Sequence, residues 1–178
     1  GWDLRLAALP FVHANRVVVD FADLCEPNAT YNDALRKVLA TLATVSFDGF
    51  DPTRQVAVLA SHLHLAGAST STEKQIHVSE DYAADAAHIA TGYGYLAFGH
   101  IHVPQPVAGG RGRYAGSLLE VDFGETGEAK SVVVADLEPG RPTRVTPGPL
   151  TAGRRLHRVA SALGDLPGRA DEVGNVVA

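Results

Sequence analysis

Two short apolar runs constrain this chain more than any other feature. Gln55-Val56-Ala57-Val58-Leu59-Ala60 and Tyr95-Leu96-Ala97-Phe98 are too short for helices and show no polar alternation. Runs of this kind predict strands buried on both faces, as in a parallel sheet covered by other elements. Each run is followed at once by histidines, Ser61-His62-Leu63-His64 after the first and Gly99-His100-Ile101-His102 after the second. In open α/β sheets, ligands gather at the carboxyl ends of strands, so the two groups of imidazoles fall where chemistry is expected.

Other segments supply the layers such strands need. Leu4–Leu9 predicts a strand stopped by Pro10, and residues 11–24 are ambiguous, with Arg16–Val19 read as extended. Pro27–Thr30 predicts a break and a helix cap, and Tyr31 to Val45 predicts an amphipathic helix on Leu35, Val38, Leu39, Leu42 and Val45. Residues 66–75 read as a polar loop. Ser79 predicts a cap for a helix over Glu80–Ala90. Strands are expected at Arg113–Ala115, Leu119–Phe123 and Ser131–Ala135, with a proline- and glycine-rich linker over 139–153. The order predicts an α/β, layered α+β architecture.

Composition narrows the function classes. With 46% hydrophobic and 20% charged residues, a chain of 178 residues buries a core of useful size. No apolar run approaches the length of a membrane span, and Gly1–Arg5 carries no basic-then-apolar leader. The single cysteine, Cys25, excludes an internal disulfide and a Cys-rich zinc module and agrees with the cytoplasm. There is no methionine at all, so the chain is expected to be a fragment. Net charge is −5, which argues against a free-standing nucleic-acid binder. The acidic balance lies in residues 1–138, while Arg141, Arg144, Arg154, Arg155, Arg158 and Arg169 face only Asp165 between 139 and 169. That stretch reads as a phosphate-contacting path or as a solvated surface.

His100 and His102 are spaced i, i+2. In extended backbone they point to one side with Cα atoms about 6.5 Å apart, so the pair can chelate one ion or serve two ions roughly 3.5–4 Å apart. Neutral imidazole suits zinc, manganese, iron, copper or nickel. A hydrogen-bonded surface role is the plain alternative. His62, at the end of a different strand, strengthens the metal reading. His64 is compatible with a ligand or a supporting role and is left outside the candidate ligand set. His13, His77, His88 and His157 have no supporting pattern. A dinuclear hydrolytic site also needs a bridging carboxylate. Asp20, Asp23, Glu120 and Asp122 are candidates, and none lies at the end of a clear buried strand beside another ligand. Glu120 and Asp122 are expected to share one face of a strand, which solvation explains equally well.

Taken together, Ser61-His62-Leu63, Tyr95 through His102, Arg113-Tyr114-Ala115-Gly116-Ser117-Leu118 and Val121-Asp122-Phe123-Gly124-Glu125 resemble the later motifs of the calcineurin-like metallophosphoesterases. The Tyr-Ala-Gly-Ser and Asp-Phe-Gly-Glu pieces, with Leu6–Phe11 and Pro149–Leu156, resemble more narrowly the SbcD-type nucleases. The resemblance covers residues 4–165. It implies part of a β-sandwich flanked by helices over 1–148, truncated on its N-terminal side, with 149–178 as the start of a capping region, and hydrolysis of phosphodiester bonds at DNA ends with two divalent ions, Mn²⁺ foremost. It implies that His62 and His100 hold one ion and His102 its neighbour. DNA and an SbcC-type ATPase are the implied partners, and a homodimer is an expectation for the longer protein only. The family's Asp-x-His, Gly-Asp and Gly-Asn-His-Asp motifs do not precede His62, so the catalytic acid/base residues are expected upstream of Gly1 and the fragment alone is expected to be inactive. Another phosphoesterase, or a non-catalytic partner-binding module of the same fold, is the competing reading.

Overall fold

The structure is a computed structural model and describes residues 1–13, 16, 27–71 and 82–169. Its centre is a five-stranded sheet built from β1 (Asp3–Leu9), β2 (Gln55–Ser61), β3 (Tyr95–Phe98), β4 (Gln105–Val107) and β5 (Gly112–Tyr114), in the order β1-β2-β3-β5-β4. All neighbours are parallel except β4 and β5. A separate antiparallel pair joins β6 (Ser131–Asp136) to β7 (Arg144–Pro149). The result is the mixed α/β class, with a mostly parallel central sheet, that the apolar runs predict. Val56, Ala57, Val58 and Leu59 are all buried, as a strand covered on both faces requires. β1 lies at the sheet edge and leaves Leu4 and Leu6 exposed.

Between β1 and its parallel neighbour β2 the described residues include a long helix, α1 (Pro27–Phe47). Pro27 suits a first helical position, because its missing N–H has no intrahelical partner to lose. The buried stripe of α1 is Tyr31, Leu35 and Leu39, with Leu42 packed beside it. Val45 is exposed, so the stripe ends one turn earlier than the apolar pattern suggests. The helix stops at Gly49, whose φ of 58° suits a residue without Cβ. The Arg5 guanidinium on β1 donates to the carbonyls of Ser46, Asp48 and Gly49, which no further helical turn satisfies. One buried cluster joins the α1 stripe to Leu59, Leu63, Leu65, Leu96, Phe98, Ile101 and Tyr114. Burial of each such side chain stabilises by about 1.5–3 kcal/mol.

Three local expectations are corrected. No α-helix occupies 82–90; the described part holds Tyr82 in 3-10 conformation and the short 3-10 turn Ala86–His88. Ala84 pairs instead with Leu65, its N–H donating to His64 O at 2.7 Å while Ala66 N–H donates to Ala84 O at 3.0 Å. Those bonds consume the groups a helix would need, and Asp85 caps the turn by accepting from Ala87 N–H. Ser79 itself, and residues 17–19 of the extended reading at Arg16–Val19, lie outside the described residues, while Arg16 is helical rather than extended. Leu119–Phe123 is not a strand. The segment leads into the 3-10 turn Phe123–Glu125, and side-chain carboxylates rather than a ladder accept from Val121 N–H and Gly124 N–H. Finally, the expected linker at 139–153 contains β7, in which Pro147 and Pro149 are tolerated because a two-stranded sheet leaves each strand one unpaired edge.

Candidate metal centre

β2 and β3 run side by side in register, Ser61 opposite Phe98, so the segments leaving them start next to each other. His62 N–H donates to Leu9 O at 3.1 Å and Gly99 N–H donates to Ser61 O at 2.9 Å, which extends the three-strand alignment one step past the sheet. An open apolar trough of about 490 Å³ lies there, lined by Ala8, Leu9, Pro10, Ala60, Ser61, His62, Ala97, Phe98 and Gly99.

Within this corner the structure brings His62 and His100 together. Their ring centroids are 5.1 Å apart at an interplanar angle of 75°. Phe11, just past β1, stacks on His100 at 5.3 Å and meets His62 edge-on at 6.3 Å. A Cβ on residue 99 would stand 2.9 Å from His62 Nδ1, so only glycine leaves room for that ring. Burial first, and the proximity of the His102 ring second, push the His62 pKa below its ordinary value. At neutral pH His62 is therefore the uncharged imidazole that can donate a lone pair.

The extended i, i+2 geometry expected for His100 and His102 is not how the two are delivered. β3 ends at Phe98, and His100 has φ 94°, a conformation that costs a residue with a Cβ free energy and recurs at functional sites. The His100 ring is held against His62 and Phe11. The His102 ring is held by Glu125, whose Oε1 lies 2.7 Å from Nδ1. His64 is buried with its ring centroid 6.3 Å from that of His100. His13 lies edge-on to Phe11 at 6.1 Å.

Two candidate carboxylates are used structurally. Glu120 accepts from Gly127 N–H, Leu156 N–H and Arg155, and Asp122 caps the turn through Gly124 N–H. Asp20 and Asp23 lie outside the described residues. In the basic stretch, Arg155 is bound to Glu120 and Arg141 to Glu138, which favours a structural use for those two guanidiniums. Among the described residues no three His, Cys, Asp or Glu side chains are grouped to hold one ion. The neutral His62, the adjacent His100 ring and the tethered His102 ring nevertheless fit a metal as part of a donor set. Reasoning from sequence missed Phe11 and Glu125. Phe11 carries no local signal. Glu125 does, since Asp122-x-x-Glu125 follows the spacing of a capping box.

No protein-family model matches the chain. It is 36% identical over 115 residues to the SbcD subunit of the nuclease SbcCD from Bacillus subtilis (strain 168), covering 63% of this chain and 29% of the relative. The protein of the same name from Staphylococcus epidermidis is 28% identical over 164 residues, which is 92% of this chain and 42% of the relative. This chain is homologous to part of the SbcD subunit of SbcCD. A third relative of that name, from Rhodobacter capsulatus, is 32% identical over 94 residues, 52% of this chain and 23% of its own length. The chain therefore spans less than half of each of these SbcD proteins. Among the described residues no helix is long and apolar enough to cross a membrane.

Proposed function

We propose that this chain is the imidazole-bearing part of an SbcD-type nuclease, in which His62 and His100 hold one divalent ion and His102 a second. The observation that carries this is the adjacency of the His62 and His100 rings at the ends of neighbouring parallel strands, in a chain homologous to SbcD. The reaction is hydrolysis of a DNA phosphodiester. A water oxygen forms a bond to phosphorus, the bond from phosphorus to the leaving sugar oxygen breaks, and that oxygen ends with a proton. Divalent ions held there, Mn²⁺ foremost, would supply stabilisation of the charge that develops on the phosphoryl oxygens. The chain's own part is to present imidazoles at fixed positions. Gly99 leaves space for the His62 ring, and Phe11 covers one face of His100. An SbcC-type ATPase is the partner, DNA repair and recombination in the cytoplasm the setting, and the isolated chain has little or no nuclease activity.

Calorimetric titration of Mn²⁺ into the 178-residue chain tests the reading. Wild type is expected to bind, and His62→Ala and His100→Ala/His102→Ala to lose most of that affinity. Coincident isotherms overturn it in favour of a non-catalytic binding module.

A further inference from the structure

Glu125 has no exposed surface, and its carboxylate is ringed by donors. Asp122 caps the turn Phe123–Glu125 and swings the Glu125 side chain inward. Oε1 then lies 2.7 Å from His102 Nδ1. Oε2 accepts from Lys130 Nζ at 2.7 Å, from Ser117 Oγ at 3.0 Å and from Val121 N–H at 3.3 Å. Lys130 is itself buried, and its ammonium also reaches Glu128 at 2.8 Å and Ser117 Oγ at 2.8 Å. Burying an ammonium and a carboxylate costs several kcal/mol per ion before their attraction returns any of it, and an apolar pair is often no less stable. Stability alone therefore does not account for the arrangement. It opens toward the surface through the His102 ring, whose side chain is 30% exposed while the carboxylate behind it is fully enclosed.

We propose that Glu125 is a positioning residue for His102: its carboxylate accepts the Nδ1–H hydrogen bond, fixes the tautomer, and makes Nε2 the nitrogen that carries the donor lone pair. Neutral imidazole has one N–H, and the acceptor beside one nitrogen decides which nitrogen bears it. A carboxylate there also holds the ring plane and raises the basicity of the other nitrogen, and removing such a support costs about 10–100-fold in metal affinity. Lys130 completes the device from behind. It pairs with the oxygen that His102 does not use and sets a cation beside the carboxylate in a closed site. The role rests on the reading of His102 as a metal ligand.

The test is a spectroscopic one, joined to a metal titration. Long-range ¹H–¹⁵N spectra of the metal-free 178-residue chain at pH 8, with the His102 signals assigned by their loss in His102→Ala, report the tautomer directly. The wild-type ring is expected to carry its proton on Nδ1. Glu125→Gln is expected to give a mixed or reversed tautomer and to weaken Mn²⁺ binding about 10–100-fold. Lys130→Met, which disturbs the same buried network but spares the carboxylate, is expected to keep the Nδ1–H form. A merely structural role would move both variants alike. Should Glu125→Gln fail to fold, the wild-type and Lys130→Met spectra still decide. A wild-type His102 protonated on Nε2 overturns the positioning role and leaves the metal reading intact. A His102→Ala isotherm that coincides with wild type overturns the metal reading, whatever the tautomer, so the two failures are distinguishable.

Discussion

Gly99 and His62 fit each other so closely that a Cβ on residue 99 would stand 2.9 Å from His62 Nδ1. Folded proteins do not keep such a contact, and the group that gives way is the His62 ring, because residue 99 is anchored by its N–H bond to Ser61 O. Gly99→Ala is therefore expected to move the candidate ligand while the sheet stays intact. Mn²⁺ affinity should drop about tenfold or more, the scale of a disturbed ligand support, with a stability change within about 1 kcal/mol, the range of small local adjustments. Calorimetric titration and a urea melt on the same samples check both halves. Unchanged Mn²⁺ binding would show that His62 holds no ion from this position.

His100 occupies φ 94°, where a Cβ is penalised by about 1–3 kcal/mol. Two replacements of the same histidine should consequently differ in stability in an unusual direction. His100→Gly is expected to be more stable than His100→Ala by about 1 kcal/mol, although glycine is normally the costlier residue for its chain entropy. Both lose the imidazole and should bind Mn²⁺ equally weakly. Equilibrium denaturation of the pair measures the backbone strain apart from the lost ring. A His100→Ala variant more stable than His100→Gly contradicts the strained geometry.

The parts of the fold that the sequence announces are those set by local pattern. Gln55–Ala60 and Tyr95–Phe98 read as doubly covered strands because nearly every position along them is apolar, and the side chains of Val56 to Leu59 are indeed buried. Their histidines then follow from chain continuity, so the candidate site is legible before any coordinates. Legibility fails where a single long-range bond outweighs local preference. Residues 82–90 contain alanines that favour a helix, yet the bridge of Ala84 to Leu65 takes backbone groups an α-helix would use, and only short 3-10 turns form there. Leu119–Phe123 alternates like a strand, but Glu120 turns inward to Arg155 and Leu156, 35 and 36 positions away. Likewise, Glu125 reaches His102 across 23 positions, a separation at which no periodicity carries information.

Tyr114 ties β5 to the segment that carries His62 and His64. Its ring is fully buried, and its hydroxyl donates to Leu63 O at 2.6 Å while accepting from Leu65 N–H at 2.8 Å. Phenylalanine keeps the ring and abandons both backbone groups in a site closed to water. Tyr114→Phe is expected to destabilise by about 2–3 kcal/mol, more than an average lost hydrogen bond, because a buried donor and acceptor are both left unsatisfied. Chemical denaturation measures this. Faster amide exchange at Leu65 is the local signature, and a change below about 0.5 kcal/mol, the scale of surface substitutions, argues against the bridge.

Glu120 supplies a pH dependence of definite sign. The Leu156 N–H bond chiefly holds its pKa below the ordinary carboxylate value; burial works in the opposite direction, and Gly127 N–H, Arg155 and Lys130 add to the lowering. A carboxyl group whose folded pKa lies below its unfolded value contributes stability above the unfolded value and loses it as pH falls through the folded one. The gap in thermal midpoint between wild type and Glu120→Gln should therefore be full at pH 7. It should begin to close below about pH 4.3, the unfolded glutamate range, and continue closing as the pH drops further. Arg155 is half exposed and contributes less than the Leu156 bond, so Arg155→Ala should leave most of the gap in place, as expected for a solvent-screened pair. Midpoints recorded from pH 7 to pH 2.5 check the sign, where a gap that widens on acidification contradicts the assigned role of Glu120 as the clasp between 120–127 and 155–156.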